Sequence, residues 1–364
     1  SGLEYTCQLE LSEKSLNWQW LVDIQNQSGE PVDLDLVYLQ DISLKPAGSG
    51  PVNEYYVSQY LERRILEDKT YGTVVCCRQN NKESTGHPWL LIACKNGAAS
   101  ACTDGMLFYG KTFRETGIPE GLLSENLGGE LAGESSVLAL QEKPFTLADG
   151  EKTIRAFVAT YLPDQLEATS EKDLGKLPAL IEEFKNEIPF FTTEDLSQPT
   201  TNLFNITPFL QSDDLSETEL TRFFGEDRRH VEKDNGTLLS FFSGENNHIV
   251  LRCKELKTDR PHAHIMQAHT RLVPDENIMS TTAFAFGVFN SHITQGNTNF
   301  NVLLSICTSQ FNQSRDTGQR IFVVIDGKNY LLGVPSAFEM GLNHCRWIYK
   351  YDKNCFEVVS WTSK

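Results

Sequence analysis

The sequence predicts a mainly β fold, with antiparallel β-sandwich portions joined by a short helical linker. Through residues 3–161, short runs rich in β-branched and aromatic residues alternate with clusters of Gly, Pro, Asn or Ser, the pattern of strands and tight turns. At Pro163 the apolar spacing becomes helical. From Thr237 the strand pattern returns, with apolar runs facing each other across turns that carry Gly, Asn or Asp. The expected organisation is a β-sandwich portion over residues 1–162, a helical linker and connection over 163–235, and a second β-sandwich portion over 236–364.

The first portion is read from LNWQWLVDIQ, VDLDLVYLQ, GTVVCCRQ, PWLLIACK, SSVLALQ and KTIRAFVATYL. Val32, Leu34, Leu36 and Tyr38 alternate with Asp33 and Asp35, which implies antiparallel strands with one buried face and hence a sandwich. In the linker, Leu166, Leu174, Leu177, Leu180, Ile181 and Phe184 make an apolar stripe at helical spacing. Pro178 lies inside that stripe, so either the helix kinks there or two short helices meet. Residues 188–207 read as an irregular connection. Ser216 and Glu219 then form a capping-box pattern ahead of a short helix over Glu217 to Phe224, ended by Gly225. In the second portion TLLSFFS and HIVLRCK flank a Gly-Glu-Asn-Asn turn, RIFVVI and NYLLGV meet through Asp326, Gly327 and Lys328, and CRWIYKY and CFEVVSW meet around Asp352, Lys353 and Asn354.

At 364 residues, 40% of them hydrophobic, the chain can bury a large core. Its formal net charge of -17 disfavours nucleic acid and anionic membrane as partners, since both would repel it. No apolar run approaches the roughly 18 residues of a membrane span. The start of the chain lacks a basic-then-apolar signal pattern. Nine cysteines occur without any CxxC spacing, mostly in apolar runs, and are expected as buried free thiols in a reducing compartment, which points to the cytoplasm. The Asn-x-Ser/Thr sites at Asn26, Asn205, Asn235 and Asn312 carry no meaning there.

The stretch from Phe284 to Ser305, FAFGVFNSHITQGNTNFNVLLS, sets a run of amides and hydroxyls between two apolar blocks. Neutral donors and acceptors suit a partner covered in hydroxyls, such as a sugar, because they hydrogen-bond without the desolvation cost of a charge. A polar loop that satisfies its own backbone has the same composition. Nearby, DRPHAHIMQAH would place His262 and His264 on one face of a strand, with His269 or His292 as a third group. Hydrogen-bonded imidazoles are expected here and no metal. The same rings could act as acid or base groups. GMLFYGKT at Gly105 to Thr112 satisfies GxxxxGK[ST], but its bulky strand formers argue against a phosphate loop and for a strand. Trp89, Tyr55, Tyr56, Tyr60 and Tyr109 could stack on sugars, but core or interstrand packing is the favoured reading, because strand propensity alone places them there.

NEYYVSQYLE, TDGMLFYGKTFRETG, RPHAHIM, GVFNSHITQGNTNFNVLLS and DGKNYLLGVPSAFE together resemble the β-rich, non-catalytic region of bacterial 1,2-β-oligoglucan phosphorylases. These are inverting glycoside phosphorylases of the cellobiose-phosphorylase-like kind, and the corresponding region of cyclic β-1,2-glucan synthases is similar. The resemblance implies a supersandwich of the galactose-mutarotase kind and reversible phosphorolysis of β-1,2-glucooligosaccharides to glucose 1-phosphate. It also implies a carboxylic acid in a helical (α/α)6 barrel that protonates the glycosidic oxygen while inorganic phosphate, a co-substrate, attacks the anomeric carbon. The short helical segments here fall far below a barrel, so the chain is expected to lack the catalytic group and to be inactive alone. No catalytic residue carries over. Arg260, His262, His264, Asn290, His292, Gln295 and Asn297 carry over only as contributors to a glucan or phosphate cleft.

The chain is therefore expected to act as scaffold, dimerisation surface or cleft wall beside a helical barrel in the same or another chain. Its expected partners are a β-glucan oligosaccharide, that barrel and a second copy in a homodimer, with no cofactor. An independent carbohydrate-binding module and a mutarotase-like aldose epimerase using His262, His264 or His292 are the alternatives.

Overall fold

The computed structural model describes residues 2–45, 58–133, 135–185, 201–258, 262–267, 279–289, 293–295 and 319–361. They fold as two units, Ser1–Phe108 with Glu120–Gln198 and Tyr109–Pro119 with Pro199–Lys364.

The first unit carries β1 (Leu3–Leu11), β2 (Asn17–Asn26), β3 (Val32–Leu34), β4 (Val37–Asp41), β5 (Leu61–Asp68), β6 (Gly72–Gln79), β7 (Trp89–Cys94), β8 (Ala98–Asp104), β9 (Ser136–Glu142), β10 (Phe145–Leu147) and β11 (Lys152–Leu162). Its main sheet has nine strands in the order β1-β2-β11-β7-β6-β8-β9-β4, with β5 paired to β6. Pairing is antiparallel except where Gly72 of β6 meets Ala98 of β8. The single buried face expected from the alternation is too few for the centre of this sheet. Val75, Cys77, Leu90, Ile92 and Phe157 fill one core, while Val74, Cys76, Trp89, Leu91 and Val158 fill another on the opposite face. The continuous apolar runs VVCC and WLLIAC are what a strand covered on both faces requires.

The cover on the second face comes from the helical stretch. A 3-10 turn, Glu171–Lys176, runs directly into the helix Leu177–Glu183, so two short helices meet, and Pro178 sits harmlessly in the first turn. Leu177, Leu180 and Phe184 pack on Trp89 and its neighbours, whose indole N–H donates to Thr169 Oγ1 at 3.1 Å. This part of the linker region packs with the first unit, while the helix Glu217–Phe224 packs with the second.

The second unit has a six-stranded antiparallel sheet of β12 (Arg229–Asp234), β13 (Thr237–Ser243), β14 (Asn247–Leu251), β20 (Ala337–Met340), β21 (His344–Tyr351) and β22 (Asn354–Trp361) in that order. A three-stranded sheet of β15 (Ala263–Gln267), β16 (Met279–Phe284) and β17 (Ile293–Gln295) and a hairpin of β18 (Phe322–Ile325) and β19 (Lys328–Leu331) accompany it. Met266, Ala283, Ala285 and Phe289 pack against Phe338, Cys345, Trp347 and Tyr349, which makes a sandwich. On the other face Leu220 and Phe224 of the helix cover Phe241, Ile249 and Ile348. Ser216 and Glu219 form the reciprocal cap of that helix, and Gly225 follows it. All three hairpins expected from the sequence form. A fourth, β12 to β13, turns at Asn235 and Gly236, both at positive φ.

Two further expectations fail. GMLFYGKT is not a strand, because Gly105–Tyr109 is a short helix whose Leu107 N–H is held by Asp104 Oδ1 at 3.2 Å. The run HIVLRCK stops being a strand at Leu251, and Arg252–Lys257 is helical. RCKELK has no β-branched side chain, which favours that turn of helix over a strand.

Candidate functional site

The apolar block that opens the amide-rich stretch is built into the second core. Phe284, Ala285, Phe286, Val288 and Phe289 are all buried, and Phe284 N–H bonds Val288 O across the turn at 2.8 Å. Gly287 has φ +87°, and a Cβ there would lie 2.5 Å from Leu332 O and 2.7 Å from Gly333 O. Only glycine allows that approach. Trp347 Nε1 donates to Phe284 O at 2.9 Å, and Ala285 N–H donates to His262 O at 2.8 Å. The second bond ties the turn to the histidine motif.

His262 and His264 are not brought to one point. His262 precedes β15, and its Nδ1 lies 2.7 Å from Glu255 Oε2. The same oxygen accepts the His262 backbone N–H at 3.1 Å. His264 pairs with Ala283 inside the sheet. Burial pulls its imidazole below the ordinary value, hydrogen bonding at the Leu342 and Gly341 backbone opposes this, and His344 adds to the lowering. Among the described residues no group of His, Cys, Asp and Glu is arranged to hold a metal ion. Gln295 ends β17, its backbone opposite Met279, and Arg260, Asn290, His292 and Asn297 lie outside the described residues.

Sequence reasoning missed the charged residues around His262. Glu255 is 1% exposed and Arg114 3%. Arg114 Nη2 donates to Glu255 O at 3.0 Å and to Thr258 O at 2.6 Å, and its Nε lies 4.0 Å from Glu255 Oε1. Next to this pair, Arg252 Nε donates to Glu115 Oε1 at 2.8 Å. Burial works against the Arg252 charge, but the bond and attraction to Glu115, with help from Asp214, raise its pKa overall. Gln211 Nε2 in turn donates to Glu115 O at 2.7 Å. Buried charges survive only with such pairing. The signal available in the sequence was RCKELK, whose helical character would have set Glu255 apart from the strand.

The aromatic candidates sort differently. Trp89 is fully buried, Tyr109 packs on Phe113 with centroids 4.7 Å apart, and Tyr55 and Tyr56 lie outside the described residues. An open trough of 810 Å³ in the first unit is lined by Tyr5, Leu9, Trp18, Trp20 and Tyr38. Its walls are almost wholly apolar, and a sugar site needs placed polar groups to fix orientation. The candidate site is therefore the Glu255, His262 and Arg114 cluster.

Residues 1–158 match the family model described as SOGP N-terminal domain, and residues 225–364 match the one described as glycoside phosphorylase supersandwich domain. Over 343 residues the chain is 30% identical to a 1,2-beta-oligoglucan phosphorylase of Listeria innocua serovar 6a, an alignment covering 93% of this chain and 30% of that protein. The chain thus spans less than a third of the curated relative. Two solved structures overlap it weakly. One, described as a kojibiose phosphorylase from human microbiome, has TM-score 0.32 and 10% identity and covers 51% of this chain and 19% of its own. The other, a polysaccharide lyase, has TM-score 0.30 and 9% identity and covers 100% of this chain and 34% of its own. No helix among the described residues is long and apolar enough to cross a membrane.

Proposed function

Because the chain belongs to the glycoside phosphorylases that carry an SOGP N-terminal domain and a supersandwich domain, we propose that it is the non-catalytic β-rich region of an enzyme that phosphorolyses β-1,2-linked glucooligosaccharides. The observation that carries this reading is the 30% identity along 93% of the chain to a 1,2-beta-oligoglucan phosphorylase. In the reaction, a carboxylic acid on a helical barrel gives its proton to the glycosidic oxygen as that carbon–oxygen bond breaks. A phosphate oxygen forms the new bond to the anomeric carbon from the opposite face, and glucose 1-phosphate leaves with inverted configuration. The described residues are sheets with short helices, so the acid belongs on a barrel in the same or another chain. The role left to this region is to brace the barrel and to wall the cleft with its second unit.

Glucose 1-phosphate release from β-1,2-glucotriose and inorganic phosphate tests the proposal. The chain alone is expected to release none, and a form that includes a helical barrel is expected to release it. Turnover by this chain alone overturns the non-catalytic assignment. A barrel-bearing form that phosphorolyses a different linkage and leaves β-1,2-glucotriose intact overturns the substrate.

A further inference from the structure

We propose that Glu255 is a positioning residue that holds His262 as its Nδ1–H tautomer, leaving Nε2 to accept a hydrogen bond from a glucosyl hydroxyl. The inference rests on the glucan reading above and assigns it a specific contact. A carboxylate oxygen only accepts, so the 2.7 Å separation between Glu255 Oε2 and His262 Nδ1 places the proton on Nδ1. The bond from His262 N–H to the same oxygen holds the backbone as well as the ring. With Nδ1 engaged, neutral His262 offers Nε2 as a lone-pair acceptor, and its side chain keeps 18% of its surface open.

The surroundings of Glu255 fit that role. Glu255 Oε1 is buried without a hydrogen bond among the described residues, so the carboxylate directs its hydrogen bonding to His262. Burying a carboxylate is costly, and helix packing alone would be served as well by an apolar side chain. Arg114 offsets the charge through its position 4.0 Å from Oε1 and pins the end of the helix through Glu255 O and Thr258 O. From the other side, Ala285 N–H holds His262 O. A rigidly held imidazole nitrogen with a lone pair suits a sugar hydroxyl, which can donate to it.

The test uses the chain with β-1,2-glucotriose as probe. Long-range proton–nitrogen spectra above the histidine titration range are expected to show His262 as the Nδ1–H tautomer, and addition of glucotriose is expected to shift Nε2. By calorimetry, His262→Ala is expected to weaken glucotriose binding about five- to tenfold, the loss of one hydrogen bond. Glu255→Gln, whose amide is a weaker acceptor, is expected to raise the Nε2–H population and fall between the two in affinity. An Nε2–H tautomer in the unmodified chain overturns the role of Glu255 whatever the ligand does. Glucotriose binding that His262→Ala leaves within twofold overturns the contact and leaves the glucan reading standing. No glucotriose binding by the unmodified chain removes the contact, while phosphorolysis by a barrel-bearing form decides the glucan reading separately. If Glu255→Gln does not fold, the tautomer and His262→Ala decide the matter.

Discussion

Glu142, at the end of β9, is fully buried, and Glu142→Gln should stabilise the protein increasingly as pH rises. Arg155 Nη1 reaches Glu142 Oε1 at 3.3 Å, while Oε2 is buried without a hydrogen bond among the described residues. Burial pushes this carboxyl up from 4.5 to about 7, with Arg155 pulling it down and Asp35 pushing it further up. The folded state therefore keeps a proton that the unfolded chain gives up. Stability is unaffected below the unfolded pKa of 4.5, falls as pH rises, and levels off above about 7. A gap of roughly two and a half units corresponds to about 3 kcal/mol at the upper plateau. Glutamine keeps the shape and an acceptor for Arg155 but does not ionise. Denaturant unfolding of both proteins from about pH 4 to pH 8 isolates this group, because other titrations cancel in the difference. The stability difference, variant minus wild type, is expected to grow by about 3 kcal/mol across that range. A difference that stays flat, or shrinks as pH rises, would refute the reasoning.

Gly287→Ala should cost at least about 2 kcal/mol, because its Cβ would sit 2.5 Å from Leu332 O at φ +87°; an unchanged melting temperature would contradict the role given to this turn. Ser216→Ala should cost about 1 kcal/mol by losing the cap of the helix Glu217–Phe224, read by thermal unfolding. In the folded state an alkylating reagent followed by mass spectrometry should mark exposed Cys7 and Cys355 first. Cys76, Cys77, Cys94, Cys102 and Cys345 are buried, with burial pushing the thiols of Cys77, Cys94 and Cys345 up to about 12, so they should react only on unfolding. Rapid marking of Cys77 in native protein would contradict the two-faced core.

Local pattern made much of this protein legible from its sequence. The apolar runs of β6, β7, β9 and β11, the hairpins at Gly327 and Asp352 and the Ser216 cap each depend on residues within a few positions of one another. Backbone geometry and turn chemistry act over that range. The Asn235–Gly236 turn carried the same kind of signal for β12 and went unread. The motifs that mark the phosphorylase family were likewise visible as linear strings.

What the tertiary structure alone decided is where side chains distant in sequence meet. Two histidines two positions apart looked like a pair, yet His262 turns to Glu255 and His264 sits among the groups around Leu342 and His344. Arg114 reaches Glu255 across 141 positions, and no periodicity relates them. Burial of β6 and β7 on both faces needed a helix from far down the chain. Strand and turn preferences are short-range, whereas pairing buried charges and covering a second sheet face are long-range requirements, met only once the chain has folded back on itself.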